Sequence, residues 1–299
     1  MSAPVGTPGP RRPGARRAGD GWVPSAVEQE RRAYRRSRTL RSGFTAATST
    51  AVVIGLLGWV ITSSSGWPRV RETFFSWDKA VDSFPAVIEG LWLNIRIMLV
   101  CGVIIAALGL TIAILRTLRG PVFFPLRMVA AGFTDLFRGL PLLLLLLLLG
   151  FGVPALDIAG LTSEVLVWGC VALILSYSAY VAEVFRAGIE SVHPSQRAAA
   201  RSLGLSHGQT LRFVVIPQAI RRVLPPLLND LVSLQKDSGL ISILGVIDAI
   251  RAAQIETASD FNFTPYVVAG LLFVTLTIPM ARFTDWVARR QGFQGGGVV

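Results

Sequence analysis

The sequence predicts an all-α membrane protein with about six transmembrane helices. Three observations carry that expectation. The 299 residues are 52% hydrophobic and only 16% charged, with mean hydropathy +0.56, where soluble domains carry about 25% charged residues. Several apolar runs approach or exceed the roughly 20 residues that cross a bilayer. The connections between those runs alternate in charge without a break, as positive-inside topology requires.

The spans fall at roughly 45–62, 91–115, 135–153, 165–188, 223–246 and 265–286. Before the first lie 42 residues with ten arginines and three acids, rich in Pro and Gly. That composition predicts a disordered basic tail, 1–42. Arg31, Arg32, Arg35 and Arg36 form a run suited to anionic lipid headgroups. The first apolar run is longer and later than the core of a cleavable signal peptide. An extra N-terminal transmembrane helix, 43–64, is therefore expected. The remaining spans fill a transmembrane domain over 84–288, followed by a C-terminal tail, 289–299.

Residues 64–90 carry Trp67, Phe74, Phe75, Trp77 and Phe84. Aromatics collect at membrane–water interfaces, so a short interfacial helix is one reading and a docking surface for an external partner is another. The third span is interrupted by Gly139-Leu140-Pro141 and followed by a leucine run to Gly150. Proline is tolerated in the first turn of a helix, so one apolar helix is expected to start near Pro141. Residues 122–136 then join the same crossing or lie at the interface.

Orientation follows from charge. The segments 1–43, 115–138, 186–222 and 282–299 hold ten, four, six and three basic residues against three, one, one and one acids. The segments 65–90, 154–164 and 247–264 hold three, none and one against four, two and three. Both termini and the segment 186–222 are expected to be cytoplasmic, in a multi-pass protein of the cell membrane.

The charges inside the spans are functional candidates by default, because each is costly in hydrocarbon. Glu183 lies three residues before Arg186, close enough to pair on a helix. Asn229, Asp230, Ser233, Lys236 and Asp237 step by three and four, which places them on one helical face. Such a stripe lines a pathway or forms an ion-pair network that holds helices together; both readings stand. Arg96, near the end of the second span, is expected to snorkel to the headgroups. Cys101 and Cys170 lie in apolar runs and read as small hydrophobes. His193 and His207 show no metal-ligand spacing, and no metal site or catalytic constellation is expected. No G-x-x-x-x-G-K-S/T phosphate loop occurs in the sequence, so ATP, if used, is bound by another chain. The basic charge sits in the tail and cytoplasmic segments, which argues against a nucleic-acid partner.

Between the fourth and fifth spans, Ser195 is expected to cap a short helix, Gln196 to Leu203, ended by Gly204. A second short helix, about 207–215, is expected to stop at Pro217. The small residues Ala198, Ala199 and Ala200 leave a low surface against which another protein can lie. A solvated linker is the plainer alternative.

This segment resembles the cytoplasmic signature of ABC importer permeases, E-A-A, three residues, G, nine residues, then I-x-L-P. Here it reads Ala198-Ala199-Ala200, Gly204 and Val214-Val215-Ile216-Pro217. Phe137-Arg138-Gly139-Leu140-Pro141-Leu142, Ala179-Tyr180-Val181-Ala182-Glu183 with Arg186-Ala187-Gly188-Ile189, Ile216-Pro217-Gln218-Ala219 and Lys236-Asp237-Ser238 resemble the polar amino-acid branch. The resemblance covers about 84–288 and implies the type I importer architecture with a cytoplasmic two-helix coupling loop.

It further implies the permease subunit of an ATP-driven amino-acid importer, a transporter component and not itself an enzyme. The implied partners are a cytoplasmic ABC ATPase dimer, a second permease subunit, an extracytoplasmic amino-acid-binding protein and membrane lipids. Ala198, Ala199, Ala200, Gly204 and Pro217 would form the coupling loop; Glu183, Asn229, Ser233, Lys236 and Asp237 would lie on the substrate pathway. No cofactor is implied for this chain. Ala198 departs from the family's Glu and removes a charge that can pair with the ATPase. Gly239 replaces a bulkier residue and is expected to loosen the helix beside the stripe. Lys236-Asp237-Ser238 resembles glutamate permeases, so glutamate is the first expected substrate among polar amino acids. An ion-coupled secondary transporter is the rival expectation; those proteins often carry internal repeats, and none is seen here.

Overall fold

The protein is described from a computed structural model, which covers residues 25–118 and 120–291. Every regular element among them is helical. The chain divides at Trp67 into two compact units.

The first unit is built on α1 (Ala26–Thr62). Its apolar stretch, Arg41–Thr62, is long enough to cross a bilayer and has no buried residue. The helix begins well before the expected boundary at 43. Residues 26–42, expected as disordered tail, are helical, because Ser25 accepts from the Glu28 amide and Glu28 pairs with Arg32 at 3.2 Å one turn on. Residues 1–24 of that tail and 292–299 of the C-terminal tail lie outside the described residues.

The second unit begins with α2 (Trp67–Phe74), continued from Pro68, and α3 (Trp77–Thr117). Then α4 (Phe124–Gly139) and α5 (Leu142–Ala155) meet at 101°. The break is local chemistry: Pro141 disfavours helical backbone at Leu140, which is extended at φ −88°, ψ 133°. The third span is thus a bent pair. Next come α6 (Val165–Glu190), α7 (Pro194–Ser202) and α8 (His207–Thr210). A π turn, Leu211–Val215, joins α8 to α9 (Ile216–Asp237). A 3-10 stretch, Ser238–Leu244, and a left-handed Gly245 lead to α10 (Ala249–Asp260), 48° away, and then α11 (Thr264–Arg290).

Among the described residues four helices are long and apolar enough to cross a membrane, or up to six spans result if each bent pair counts as one. The main core lies where α3, α5, α6 and α9 meet, with Cys101, Ile105, Leu146, Leu173 and Leu234 buried. Cys101 and Cys170 are both unbridged and pack as hydrophobes. A second cluster joins Val87 and Leu91 of α3 to Ala249, Ala252 and Ala253 of α10. There Gly90 permits near-backbone contact: a Cβ at this position would lie 2.4 Å from the Ala249 amide nitrogen. Beside it Asn94 Nδ2 donates to Asp248 Oδ2 at 3.0 Å, while Asn94 Oδ1 accepts from the Ala249 amide at 3.2 Å. All three groups are buried.

Gly239 does not loosen the fifth span. It is buried, and an added Cβ would fall 2.7 Å from Ile250 Cδ1 and 3.3 Å from the Phe273 ring, so it seats the 3-10 stretch against α10 and α11.

At one end of the second unit, the end of α2 and the start of α3 are stapled to the end of α10 and the α10–α11 connection. Phe263 N donates to Thr73 O at 2.7 Å, Asn262 Nδ2 to Glu72 O at 2.8 Å, and Lys79 pairs with Asp260 at 2.5 Å. The short α2 ends there, with Phe74 stacked on Phe263 and Trp77 exposed. Arg96, exposed on α3, lies over the Trp92 ring at 5.3 Å.

Candidate functional site

The polar stripe of α9 divides in two. Asp230, Ser233 and Asp237, spaced i, i+3 and i+7, line a cavity of about 480 Å³. Asn229 and Lys236 occupy the adjacent, exposed strip of the same helix. The turn at Arg138-Gly139-Leu140-Pro141 and Ser176, Tyr177 and Tyr180 of α6 complete the cavity wall. The Tyr177 hydroxyl donates to Asp237 Oδ2 at 2.7 Å. Tyr180 donates to the Arg138 carbonyl at 3.3 Å, and the Arg138 guanidinium lies over the Tyr180 ring at 5.7 Å. Asp230 Oδ2 is a buried acceptor with no hydrogen-bond donor among the described residues. None of Asp230, Lys236 and Asp237 is in an ion pair among the described residues.

Glu183, by contrast, sits in an ion-pair cluster. Its carboxylate meets Arg116 of α3, Arg138 at 3.5 Å and Arg186 at 2.7 Å, and Arg186 extends the cluster to Glu190 at 2.6 Å. Three helices converge on one carboxylate. Arg138 is shared between this cluster and the cavity. On its other side α9 is tied to α11, where Thr277 Oγ1 donates to Gln235 Oε1 at 2.7 Å.

Sequence reasoning missed Asp230 as a separate cavity acceptor, and missed Arg138, Tyr177 and Tyr180. Arg138 and Tyr180 stood inside motifs already singled out. Tyr177 had a weaker signal, its i,i+3 spacing to Tyr180, which becomes informative only once α6 is known to face α9. Among the described residues no group of three or more His, Cys, Asp and Glu gathers to hold a metal ion.

The connection after α6 is ordered into short helices, with two corrections. The cap of α7 is His193, not Ser195. Pro194 at the first helical position has no N–H, so the first amide to satisfy is that of Ser195, which donates to His193 Nδ1 at 3.2 Å. Gly204 follows at φ +82°, the left-handed geometry that ends a helix. Pro217 does not stop the second helix. The chain runs from α8 through the π turn into α9, with Pro217 in the first turn of α9, where a missing N–H costs least. Ala198 and Ala199 face outward, but Ala200 is buried at 4% exposure and packs inward.

Residues 110–292 match the family of binding-protein-dependent transport system inner membrane components. The chain belongs to this family. It is an amino-acid ABC importer permease with the type I architecture, multi-pass in the membrane. The arginine transport system permease protein ArtQ of Bacillus subtilis is 32% identical over 211 residues, 70% of this chain and 94% of that protein. The probable glutamine ABC transporter permease protein GlnM of the same organism is 31% identical over 210 residues, again 70% and 94%. A crystal structure of an amino acid ABC transporter with histidines superposes with TM-score 0.65 at 32% identity, covering 72% of this chain and 98% of that one. The MetNI methionine transporter shares the fold, with TM-score 0.55 at 18% identity over 69% and 95% of the two chains. These matches set aside the ion-coupled secondary transporter. Within the permease, the cavity and the ordered connection occupy opposite parts of α9, so one helix links them.

Proposed function

We propose that the cavity between α9, α6 and the Arg138–Pro141 turn is this permease's part of the amino-acid pathway, and that the connection 191–217 is its coupling loop for a separate ATPase subunit. In that reading the loop and both termini face the cytoplasm, a second permease subunit completes the pore, and an external binding protein delivers the substrate. The ATP is bound by the ATPase, and no cofactor belongs to this chain.

The observation that carries the reading is the cavity's mixed charge. Arg138 offers a fork of donors for an α-carboxylate. Asp230, with a buried acceptor left open, and Asp237 suit an ammonium group; a buried acceptor without a partner is costly until a donor arrives. Ser233, Tyr177 and Tyr180 add neutral hydrogen-bonding groups around them. Asn229 and Lys236 belong to the adjacent strip, which fits contact with the second permease subunit. Glu183 acts at one remove, holding Arg138 in place.

The same charges bear on the cargo. A second carboxylate on the substrate would face Asp230 and Asp237, with Arg138 already shared with Glu183. A polar amino acid with a neutral or cationic side chain fits better than glutamate, the expectation from sequence. Competition for uptake by a panel of labelled amino acids tests this. Arginine, histidine or glutamine should compete and glutamate should not; dominance of glutamate would overturn the charge assignment.

A further inference from the structure

We infer that the coupling loop docks as a wholly cationic surface, and that the ATPase subunit receiving it supplies an apolar socket rimmed by carboxylates. This rests on the reading of residues 191–217 as the coupling loop and names the chemistry of its partner.

From Ser191 to Asn229 the chain carries Arg197, Arg201, Arg212, Arg221 and Arg222, and no acid. The flanking acids are engaged elsewhere: Glu190 pairs with Arg186, and Asp230 lines the cavity. Two of the arginines are turned back on the permease. Arg197 Nη2 donates to Ile189 O at 2.6 Å and Arg222 Nη1 to Ser191 O at 2.5 Å, both at the C-terminal end of α6. Cations there satisfy open carbonyls and complement the helix dipole. Arg197 fixes α7, and Arg222 fixes the start of α9, to the end of α6, so that motion of one is passed to the others.

With Arg197 drawn inward, Arg201 is the exposed cation of α7. It lies three residues from Ala198, adjacent on the outer face. At the end of the same helix Leu203 is 83% exposed, the largest exposure among the large apolar side chains of the described residues, and Gly204 turns the chain immediately after it. An ordered leucine presented in this way fits an apolar socket. Small exposed Ala198 and Ala199 let a partner approach the helix closely, and Arg201 at the rim, with Arg212 and Arg221 further along, selects anions around that socket.

The test uses the tagged full-length chain purified from its host's own membranes, reading the ATP hydrolysis that co-purifies with it across salt from about 0.05 to 0.5 M. Wild type should lose roughly tenfold of that activity over the range, as expected for a contact steered by exposed charge. Arg201→Glu should lose at least as much already at low salt, while Arg201→Lys keeps wild-type behaviour. Ala198→Glu, whose carboxylate lies one turn from Arg201 and neutralises it, should also weaken retention. Immunoblots of the chain in the membrane confirm that each variant is inserted. If Ala198→Glu strengthens retention, if Arg201→Glu leaves it unchanged, or if salt has no effect, the carboxylate-rimmed socket is wrong. Gly204→Trp separates that failure from failure of the docking itself. Loss of hydrolysis in Gly204→Trp with silent charge variants leaves docking in place without the acidic rim. Retention of hydrolysis and uptake in Gly204→Trp, or no hydrolysis with wild type, overturns the docking reading.

Discussion

Tyr177 of α6 donates its hydroxyl to Asp237 of α9 across the cavity at 2.7 Å, while Asp230, two turns back on α9, keeps an acceptor open. The two carboxylates of one stripe are therefore unequal: one is satisfied by the protein and the other awaits a donor.

That inequality ranks their substitutions. Asp230→Asn is expected to lower uptake by more than tenfold, about 1.4 kcal/mol or more of lost interaction, with the protein still present in the membrane. Tyr177→Phe removes one hydrogen bond to a charged acceptor, worth about 1.5–3 kcal/mol in such settings, and should raise the apparent KM for uptake. Initial-rate uptake by cells with matched permease levels checks both. Equal, negligible effects would place the pathway elsewhere.

Glu183→Gln should act on stability first. The substitution leaves Arg116, Arg138 and Arg186 around a neutral amide, and breaking such a partly buried cluster costs on the order of 3 kcal/mol. Thermal unfolding in detergent should show a clear fall in midpoint. Uptake lost at an unchanged midpoint would return Glu183 to direct contact with the cargo.

How much of this was legible beforehand depends on the range of the interaction involved. Apolar runs and charge alternation mark spans because they reflect the local cost of burying charge, and the i, i+3, i+7 spacing of Asp230, Ser233 and Asp237 is local too. The 101° break at Leu140-Pro141 was half visible, since proline restricts its predecessor but does not set the direction of the next helix. Glu183 illustrates the limit. Its sequence neighbour Arg186 was seen, but Arg116 is 67 residues away, and without it a half-buried carboxylate reads as a pathway residue. The His193 cap was missed because Ser is the commoner cap, and only the absent N–H of Pro194 shifts the register by two.

The Asn94–Asp248 lock should be intolerant of truncation. Asn94→Leu leaves a buried carboxylate oxygen and the Ala249 amide unsatisfied, about 1–3 kcal/mol for each group, and α10 would lose its seat on α3. Gly90→Val adds atoms where a Cβ alone would be 2.4 Å from backbone, for about 1–3 kcal/mol of overpacking. Both variants are expected to lower the unfolding midpoint and to raise amide hydrogen exchange in residues 245–255. Exchange unchanged there would mean that α10 is held by its apolar contacts alone.

Deletion of residues 1–64 tests whether α1 belongs to the permease core. It forms a compact unit of its own, and the core clusters of Cys101, Leu146 and Leu173 and of Val87 and Ala249 are built from residues of the second unit. Those clusters set the stability of the second unit through the apolar area they bury. The truncated chain should unfold within about 2 °C of the full chain in detergent, well under the shift that 1 kcal/mol produces in a small domain. Because the tail carries the largest excess of positive charge, the amount of chain inserted should fall instead, measured by immunoblot of membranes. A large drop in midpoint with normal insertion would show that the second unit's stability depends on α1.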